Sequence, residues 1–190
     1  MSIAIEYSKT SDGRGSNFTT FDSRARQTDL KWLEDKFSRS KKGVIRGFHG
    51  DGHTHKLISC VYGKVKLVTY DIDTGEKNKY YLDGDDPDRI VTVLVPPRTL
   101  NAHQCLSDEC VFHYKWDQYY TGPDTQWSVK FDDEEIDPRW NLGMTTVVSE
   151  RDMGAPTLQE FKRIIAHAGS VDSKSELSEY VSGFEEGFIS

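Results

Sequence analysis

The fold is decided by the stretch Lys56-Leu-Ile-Ser-Cys-Val-Tyr-Gly-Lys-Val-Lys-Leu-Val-Thr-Tyr-Asp71. Two segments rich in β-branched and aromatic residues, Lys56–Tyr62 and Lys64–Asp71, flank the single residue Gly63. Residues of this kind favour strands, and glycine most easily adopts the backbone of a tight turn. The stretch therefore predicts two consecutive strands with almost no connection between them.

The same pattern continues along the chain to about residue 131. Asp73-Thr-Gly-Glu76 is a turn, Asp83-Gly-Asp-Asp-Pro-Asp88 is an acidic surface loop, and Pro96-Pro97 ends a strand. We predict the further strands over residues 77–82, 90–95, 110–116 and 127–131. Short strands separated by turn signals at intervals of roughly 8–12 residues indicate a β-sandwich or barrel. The predicted fold class is all-β.

The C-terminal part of the sequence changes to a helical pattern. Thr157-Leu-Gln-Glu160 is a capping box, and Gly169 can end the helix that it starts. A second short helix is predicted over residues 173–184. We therefore divide the chain into a β domain over residues 1–156 and a helical extension over residues 157–190. The apolar residues that recur at helical spacing are Leu158, Phe161, Ile164, Ile165 and Ala168.

One earlier region fits two patterns. Leu30, Leu33 and Phe37 have helical spacing, whereas residues 34–40 also fit a strand with polar residues on one face. Both alternatives stay open from the sequence.

Composition limits the classes of protein to which the chain can belong. The 190 residues carry a formal charge of −7 with scattered Lys and Arg, which argues against a partner nucleic acid or a membrane surface. No apolar run approaches membrane-spanning length, and Met1-Ser-Ile-Ala-Ile-Glu6 lacks the pattern of a signal peptide. Because Cys60, Cys105 and Cys110 are odd in number and form no CxxC motif, we expect buried thiols and a cytoplasmic protein.

A group of polar residues carries the chemistry. Gly43-Val-Ile-Arg-Gly-Phe-His49 and the following Lys56 supply a cation for a phosphate, a base and a second cation for an oxyanion. Tyr114 is a further proton carrier, and Asp152 is a carboxylate that can orient a histidine. Singly, each has an ordinary structural interpretation as a strand-end, core or loop residue. Their combination indicates chemistry beside a carbonyl group of a phosphorylated substrate.

A metal centre is the alternative that the histidines raise. His53 and His55 have the spacing that places two side chains on one face of a strand, and His103 could be a third ligand. The glutamate that completes such sites is missing, since Ser59 and Cys60 stand in its place. We therefore expect no catalytic metal and no cofactor, and rank a metal-dependent oxygenase last.

Ser38-Arg-Ser-Lys-Lys-Gly-Val-Ile-Arg-Gly-Phe-His49 resembles the motif Ser-x-Ser-x-x-Gly-Val-Leu-Arg-Gly-Leu-His of the nucleotide-sugar 3,5-epimerases typified by dTDP-4-dehydrorhamnose 3,5-epimerase. The resemblance runs from about residue 12 to residue 156. It implies a cupin jelly roll, usually a homodimer, acting on a nucleotide-diphospho-4-keto-sugar. The further matching segments, in the order of the family, are Asp12-Gly-Arg-Gly15, Lys56-Leu-Ile, Val95-Pro-Pro97, Leu106-Ser-Asp108, Tyr114-Lys115, Tyr119-Tyr120 and Ser149-Glu-Arg-Asp152.

The resemblance assigns a role to each residue of the site. It makes His49 the base, with Asp152 orienting the imidazole. It makes Lys56 the cation that holds the enolate oxygen and Tyr114 the acid on the opposite face of the sugar ring. Arg46 is expected to bind the diphosphate, and Arg14 is expected to do the same from the other subunit of the dimer. The other residues expected to bind substrate are Asn101, His103 and Tyr120.

Several departures from the family pattern concern the substrate. The connection from His49 to Lys56 is shorter than in the typical enzymes, Asn101 stands where the family has a second pocket histidine, and Thr19 stands where it has a glutamate that contacts the nucleotide. In these features the sequence resembles the branch of the family that acts on GDP-4-keto-heptoses. The rivals are a cupin 3,4-ketoisomerase, which would need His53 and His55 and leave Asp152 idle, and a non-catalytic sugar-binding cupin.

Overall fold

Two antiparallel sheets form the body of the protein. The computed structural model describes residues 1–24 and 30–168. Within these residues the elements are β1 (Ile3–Asp12), β2 (Gly15–Phe18), β3 (Glu34–Lys41), β4 (Ile45–Gly50), β5 (Lys56–Tyr62), β6 (Lys64–Asp71), β7 (Lys77–Asp83), β8 (Arg89–Val95), β9 (Thr99–Cys105), β10 (Glu109–Trp116), β11 (Trp127–Ser128), α1 (Glu150–Gly154) and α2 (Leu158–Ala168).

The strands are divided between a six-stranded and a five-stranded sheet. Their orders are β2-β1-β8-β5-β10-β3 and β11-β4-β9-β6-β7. β5 and β6 follow one another through Gly63 but belong to different sheets, so the chain changes sheets at this single residue. The predicted all-β cupin architecture, a jelly-roll sandwich, is confirmed.

One apolar core lies between the sheets. It takes Ile58, Val93 and Phe112 from the six-stranded sheet and Val65 and Leu67 from the five-stranded sheet. Because side chains alternate along a strand, the neighbouring residues of the five-stranded sheet face the opposite way.

A second core covers the outer face of the five-stranded sheet. Val68 and Leu100 point outward there and meet Ile136 and Trp140 from the long segment after β11. Helix α2 joins this core through buried residues at its start. All seven residues of β9 are buried, as expected for a strand that is covered on both faces.

Helix α2 starts at the predicted capping box. The Thr157 hydroxyl accepts the Glu160 backbone N–H at 3.3 Å, and the Glu160 carboxylate accepts the Thr157 backbone N–H at 2.8 Å. Leu158 and Phe161 pack into the outer core. The predicted first helix is therefore confirmed, whereas Gly169 and the helix predicted over residues 173–184 lie outside the described residues, and the domain division at residue 156 stays a prediction.

Other expectations need correction or extension. The region around residues 30–40, which fitted both a helix and a strand, contains strand β3 rather than a helix. Phe37 of this strand is 62% exposed. The strand predicted over residues 127–131 ends at Ser128, because the Lys130 amide donates to the Pro156 carbonyl instead of continuing the ladder. The strands β1, β2 and β9 were not predicted from the pattern.

An irregularity in β4 positions the site. The pairing of β4 with β9 shifts register between Arg46 and His49. Ile45 and Phe48 consequently share the outer core although they are three residues apart, and Arg46 and His49 are left to the other side. Gly47 lies in the shift with φ 96°, and a Cβ there would stand 2.6 Å from the Asn101 carbonyl oxygen.

We predict that Gly47→Ala lowers the free energy of unfolding by at least about 2 kcal/mol, because alanine adds both a positive-φ penalty and a backbone clash. Urea denaturation of both variants measures the difference. The matched control is Gly13→Ala, where a Cβ meets nothing within 4 Å. Equal losses in the two variants would show that the β4 irregularity does not require glycine.

Candidate active site

His49 and Asp152 form a hydrogen-bonded pair. His49 Nε2 lies 2.7 Å from Asp152 Oδ1, and the other carboxylate oxygen accepts the Gly47 amide at 3.2 Å. Asp152 lies in helix α1, whose N-cap Ser149 accepts the Asp152 amide through its hydroxyl at 3.2 Å. The carboxylate is buried, whereas the imidazole keeps 24% of its surface exposed. The Nε2 side of the imidazole is thus fixed by Asp152, and the Nδ1 side is available to a substrate.

The surroundings of Asp152 keep it ionised. Burial alone would raise the pKa of this carboxyl, but the hydrogen bond and charge of His49, the Gly47 amide and the Ser149 hydroxyl together hold the pKa below its usual value. A carboxylate can only accept a hydrogen bond. His49 Nε2 therefore carries the hydrogen, which leaves Nδ1 as the basic nitrogen.

Lys56 is a buried cation beside this pair. It starts β5 with only 3% of its surface exposed, and its Nζ donates to Asn101 Oδ1 at 3.2 Å. Asn101 is the register partner of His49 between β9 and β4, so this residue connects the lysine of one sheet with the strand that carries His49 in the other. Burial lowers the pKa of Lys56 to about 8, against an opposing effect of the Asp51 charge.

Tyr114 faces the pair from the six-stranded sheet. Its ring centroid lies 4.9 Å from that of Phe112 and 6.1 Å from that of Trp116. Burial raises the pKa of Tyr114 to about 12, while a hydrogen bond with the Ser38 side chain and the charge of Arg46 oppose this rise more weakly. The phenol is therefore protonated at neutral pH and can donate a proton or a hydrogen bond.

The predicted binding residues other than Arg14 lie around this centre. Arg46 is exposed, and its Nε donates to the Ser40 hydroxyl at 3.0 Å. His103 is fully buried, and burial, with the charges of Arg46 and His49, lowers its pKa to about 3. The Tyr120 ring lies 5.1 Å from that of Trp116.

The structure does not bring Arg14 to the other site residues within one chain. It lies in the turn between β1 and β2, and its Nε donates to Asp12 Oδ2 at 3.1 Å. Two residues that the sequence did not single out do belong to the site. The Trp116 ring centroid lies 5.6 Å from Lys56 Nζ, and the Tyr120 ring centroid lies 3.4 Å from Lys36 Nζ. Alternation from Tyr114 along β10 was the one signal for Trp116.

The histidines of the metal alternative are arranged differently from the strand pattern that suggested it. His53 and His55 both precede β5, and His55 Nδ1 lies 2.8 Å from Asp117 Oδ2. His53 is exposed in the loop. Among residues 1–24 and 30–168, no three His, Cys, Asp or Glu side chains are grouped as metal ligands. In the same part of the chain, no helix is long and apolar enough to cross a membrane.

Comparison with known proteins gives a consistent result. The sequence model of a family described as dTDP-4-dehydrorhamnose 3,5-epimerase matches residues 2–160. Relatives bearing that name include the protein of Salmonella typhimurium, 28% identical over 69% of this chain and 74% of its own length. The protein of Escherichia coli is 28% identical over 80% of this chain and 87% of its own.

A solved structure shares the fold. The dTDP-6-deoxy-D-glucose-3,5-epimerase of Legionella pneumophila, crystallised with dTDP-4-keto-L-rhamnose, superposes with a TM-score of 0.75 at 27% identity. The match covers 83% of this chain and 88% of that one.

The buried charge of Lys56 predicts a pH-dependent stability. Since its pKa is about 8 in the fold against 10.5 for the free side chain, the unfolded chain binds the proton more tightly. Burial of the cation therefore destabilises the fold below pH 8, by about 3 kcal/mol, and this penalty disappears as the pH rises toward 10.5. Relative to wild type, Lys56→Met should gain most stability at pH 7.

Chemical denaturation of both proteins at pH 7 and pH 10 measures that gain, with Lys41→Met at an exposed position as the control. A Lys56→Met difference that stays constant with pH would contradict a buried cation at this position.

Proposed function

Because this chain belongs to the dTDP-4-dehydrorhamnose 3,5-epimerase family, we propose that it is an epimerase that inverts C3, C5 or both of a nucleotide-diphospho-4-keto-sugar. The observation that carries the proposal is the 2.7 Å contact between His49 and the buried carboxylate of Asp152. This pair shares the space between the sheets with a buried lysine and a protonated tyrosine, which are the further groups that the reaction needs.

The first step is removal of a proton from a carbon next to the C4 ketone. His49 Nδ1 takes the proton, and the electron pair of the broken C–H bond moves into the carbonyl to form an enolate. Asp152 stabilises the imidazolium and keeps its orientation. Lys56, held by Asn101, stabilises the negative charge on the C4 oxygen.

The second step returns a proton from the opposite face. Tyr114 belongs to the other sheet from His49 and donates its phenolic proton to the carbon, which reverses the configuration and regenerates the ketone. Solvent then reprotonates the phenolate and removes the proton from His49. Neither step consumes a redox equivalent, so acid–base groups are sufficient for the whole cycle.

The remaining residues bind the substrate. The exposed guanidinium of Arg46 is suited to the diphosphate, with Asn101, His103 and Tyr120 around the sugar. We infer a homodimer, as is usual in the family, in which Arg14 reaches the site of the partner subunit. A cytoplasmic location agrees with three buried free cysteines.

The arrangement favours epimerisation over the 3,4-ketoisomerase alternative. That reaction would rest on His53 and His55 and would leave Asp152 without a role. Here Asp152 contacts His49, and His55 is engaged by Asp117.

Incubation in deuterated water tests the function. The substrates are a dTDP-4-keto-6-deoxyhexose and a GDP-4-keto-heptose, and NMR identifies the carbons that acquire deuterium and invert. We expect exchange at C3, C5 or both with at least one of them, and the same rate after treatment with EDTA. Binding without exchange would indicate a sugar-binding cupin, and loss of exchange on chelation would indicate a metal enzyme.

Variants of the base and the acid should fail differently. Loss of a positioned general base typically costs about 10²–10⁴-fold, so His49→Asn should nearly abolish both deuterium exchange and inversion. Tyr114→Phe leaves the base and Lys56 in place. Its exchange should therefore persist while inversion becomes slower than exchange.

The two rates are read from the same NMR time course, with His167→Asn, an exposed residue of α2, as the control. Inversion at the wild-type rate in Tyr114→Phe would remove this residue from the mechanism.

A further inference from the structure

Two buried aromatic residues of the site have ring nitrogens without hydrogen-bond partners. Within the described ranges, both nitrogens of His103 and Nε1 of Trp116 are buried and unpaired. The two side chains are 0% and 6% exposed. Buried polar atoms in native proteins nearly always have a partner, since removing them from water otherwise costs free energy. These nitrogens therefore point to a group that the protein chain does not supply.

Both residues flank the proposed acid. The Tyr114 ring centroid lies 6.4 Å from that of His103 and 6.1 Å from that of Trp116. His103 stacks on Phe112 at 3.8 Å, and Trp116 lies 5.6 Å from Lys56 Nζ. They thus contribute to the wall of the same space between the sheets, next to the groups that carry the reaction.

One hydroxyl group extends this unpaired polar surface. Within the described ranges, Thr99 Oγ1 is also buried without a partner. Thr99 lies on β9 two residues before Asn101, so alternation turns it inward. Unsatisfied polar atoms consequently collect on β9 and β10, whose inward side chains face one space.

The chemistry of these atoms selects their ligand. A neutral histidine offers one donor and one acceptor, an indole offers one donor, and a hydroxyl offers both. Burial keeps His103 neutral, so this position does not favour an anionic group of the ligand in addition to the diphosphate. A sugar hydroxyl both donates and accepts, whereas a methyl group would leave all these atoms unpaired.

We propose that His103 and Trp116, which lie on either side of Tyr114, each offer a hydrogen-bonding position for a hydroxyl group of the substrate sugar away from the reacting carbons, at C2 or C6. The enzyme then binds the hydroxylated sugar more tightly than its deoxy counterpart. The inference rests on the proposed function, because it takes the sugar of the nucleotide substrate as the ligand.

Calorimetric titration with unreactive sugars tests the subsite. The probes are dTDP- and GDP-linked glucose with their 2-deoxy and 6-deoxy counterparts, whose C4 hydroxyl cannot acidify the neighbouring hydrogens. Wild type should bind at least one hydroxylated sugar roughly ten- to hundredfold more tightly than the matching deoxy sugar. The 2-deoxy and 6-deoxy probes identify which hydroxyl is bound.

The variants are His103→Phe and Trp116→Phe, which keep an aromatic ring and remove the nitrogens. We expect each to reduce the preference about tenfold, and His103→Gln, which restores a donor and an acceptor, to recover part of it. Trp32→Phe is the matched control. Its Nε1 is also buried and unpaired, but its ring packs on Phe21 at 5.7 Å, outside the space between the sheets.

An equal affinity of wild type for hydroxylated and deoxy sugars would overturn the proposal, as would an unchanged preference in folded His103→Phe and Trp116→Phe. Thermal unfolding of each variant establishes that it is folded, and His103→Gln carries the test if the phenylalanine variants are not. The probes do not react, so the calorimetric titration tests the subsite proposal alone. Failure of the epimerase proposal would instead appear as missing deuterium exchange with keto-sugars.

Discussion

The contact between His49 and Asp152 is the interaction on which the rest of the site depends. It joins residues 103 positions apart in the chain, one on a strand and one in a short helix. The helix reaches the strand because Val147 pairs with the start of β4, where the Ile45 amide donates to the Val147 carbonyl at 2.9 Å. The packing of the C-terminal segment on the outer core therefore determines whether Asp152 reaches His49.

Burial of charge gives the pocket its chemical character. Lys56 loses water and gains one amide oxygen, so its pKa falls to about 8, while Tyr114 is kept as a phenol. In such surroundings hydrogen bonds and charges act more strongly than in water. The same desolvation makes unpaired atoms costly, and this connects the proposed catalytic groups to the polar surface around His103 and Trp116.

Prediction from the sequence succeeded where the local pattern was strong. The β5–β6 pair followed from residues 56–71, and the start of α2 followed from Thr157 and Glu160. Strand β9 was missed because its inward residues are the polar groups of the pocket, which remove the apolar alternation. Helix α1 has five residues, too few for a periodic signal. The order of the motif residues singled out His49, Lys56, Tyr114 and Asp152 as candidates for the site, but the unpaired nitrogen of Trp116 depends on tertiary packing.

The central claim is that the negative charge of Asp152 makes His49 an effective base. The most direct test is the rate of deuterium incorporation into a nucleotide 4-keto-sugar by Asp152→Asn, compared with wild type at saturating substrate. The asparagine keeps the size of the side chain and removes its charge, so we predict a fall of at least about 10²-fold with a folded protein and retained substrate binding. Incorporation near the wild-type rate would contradict the account.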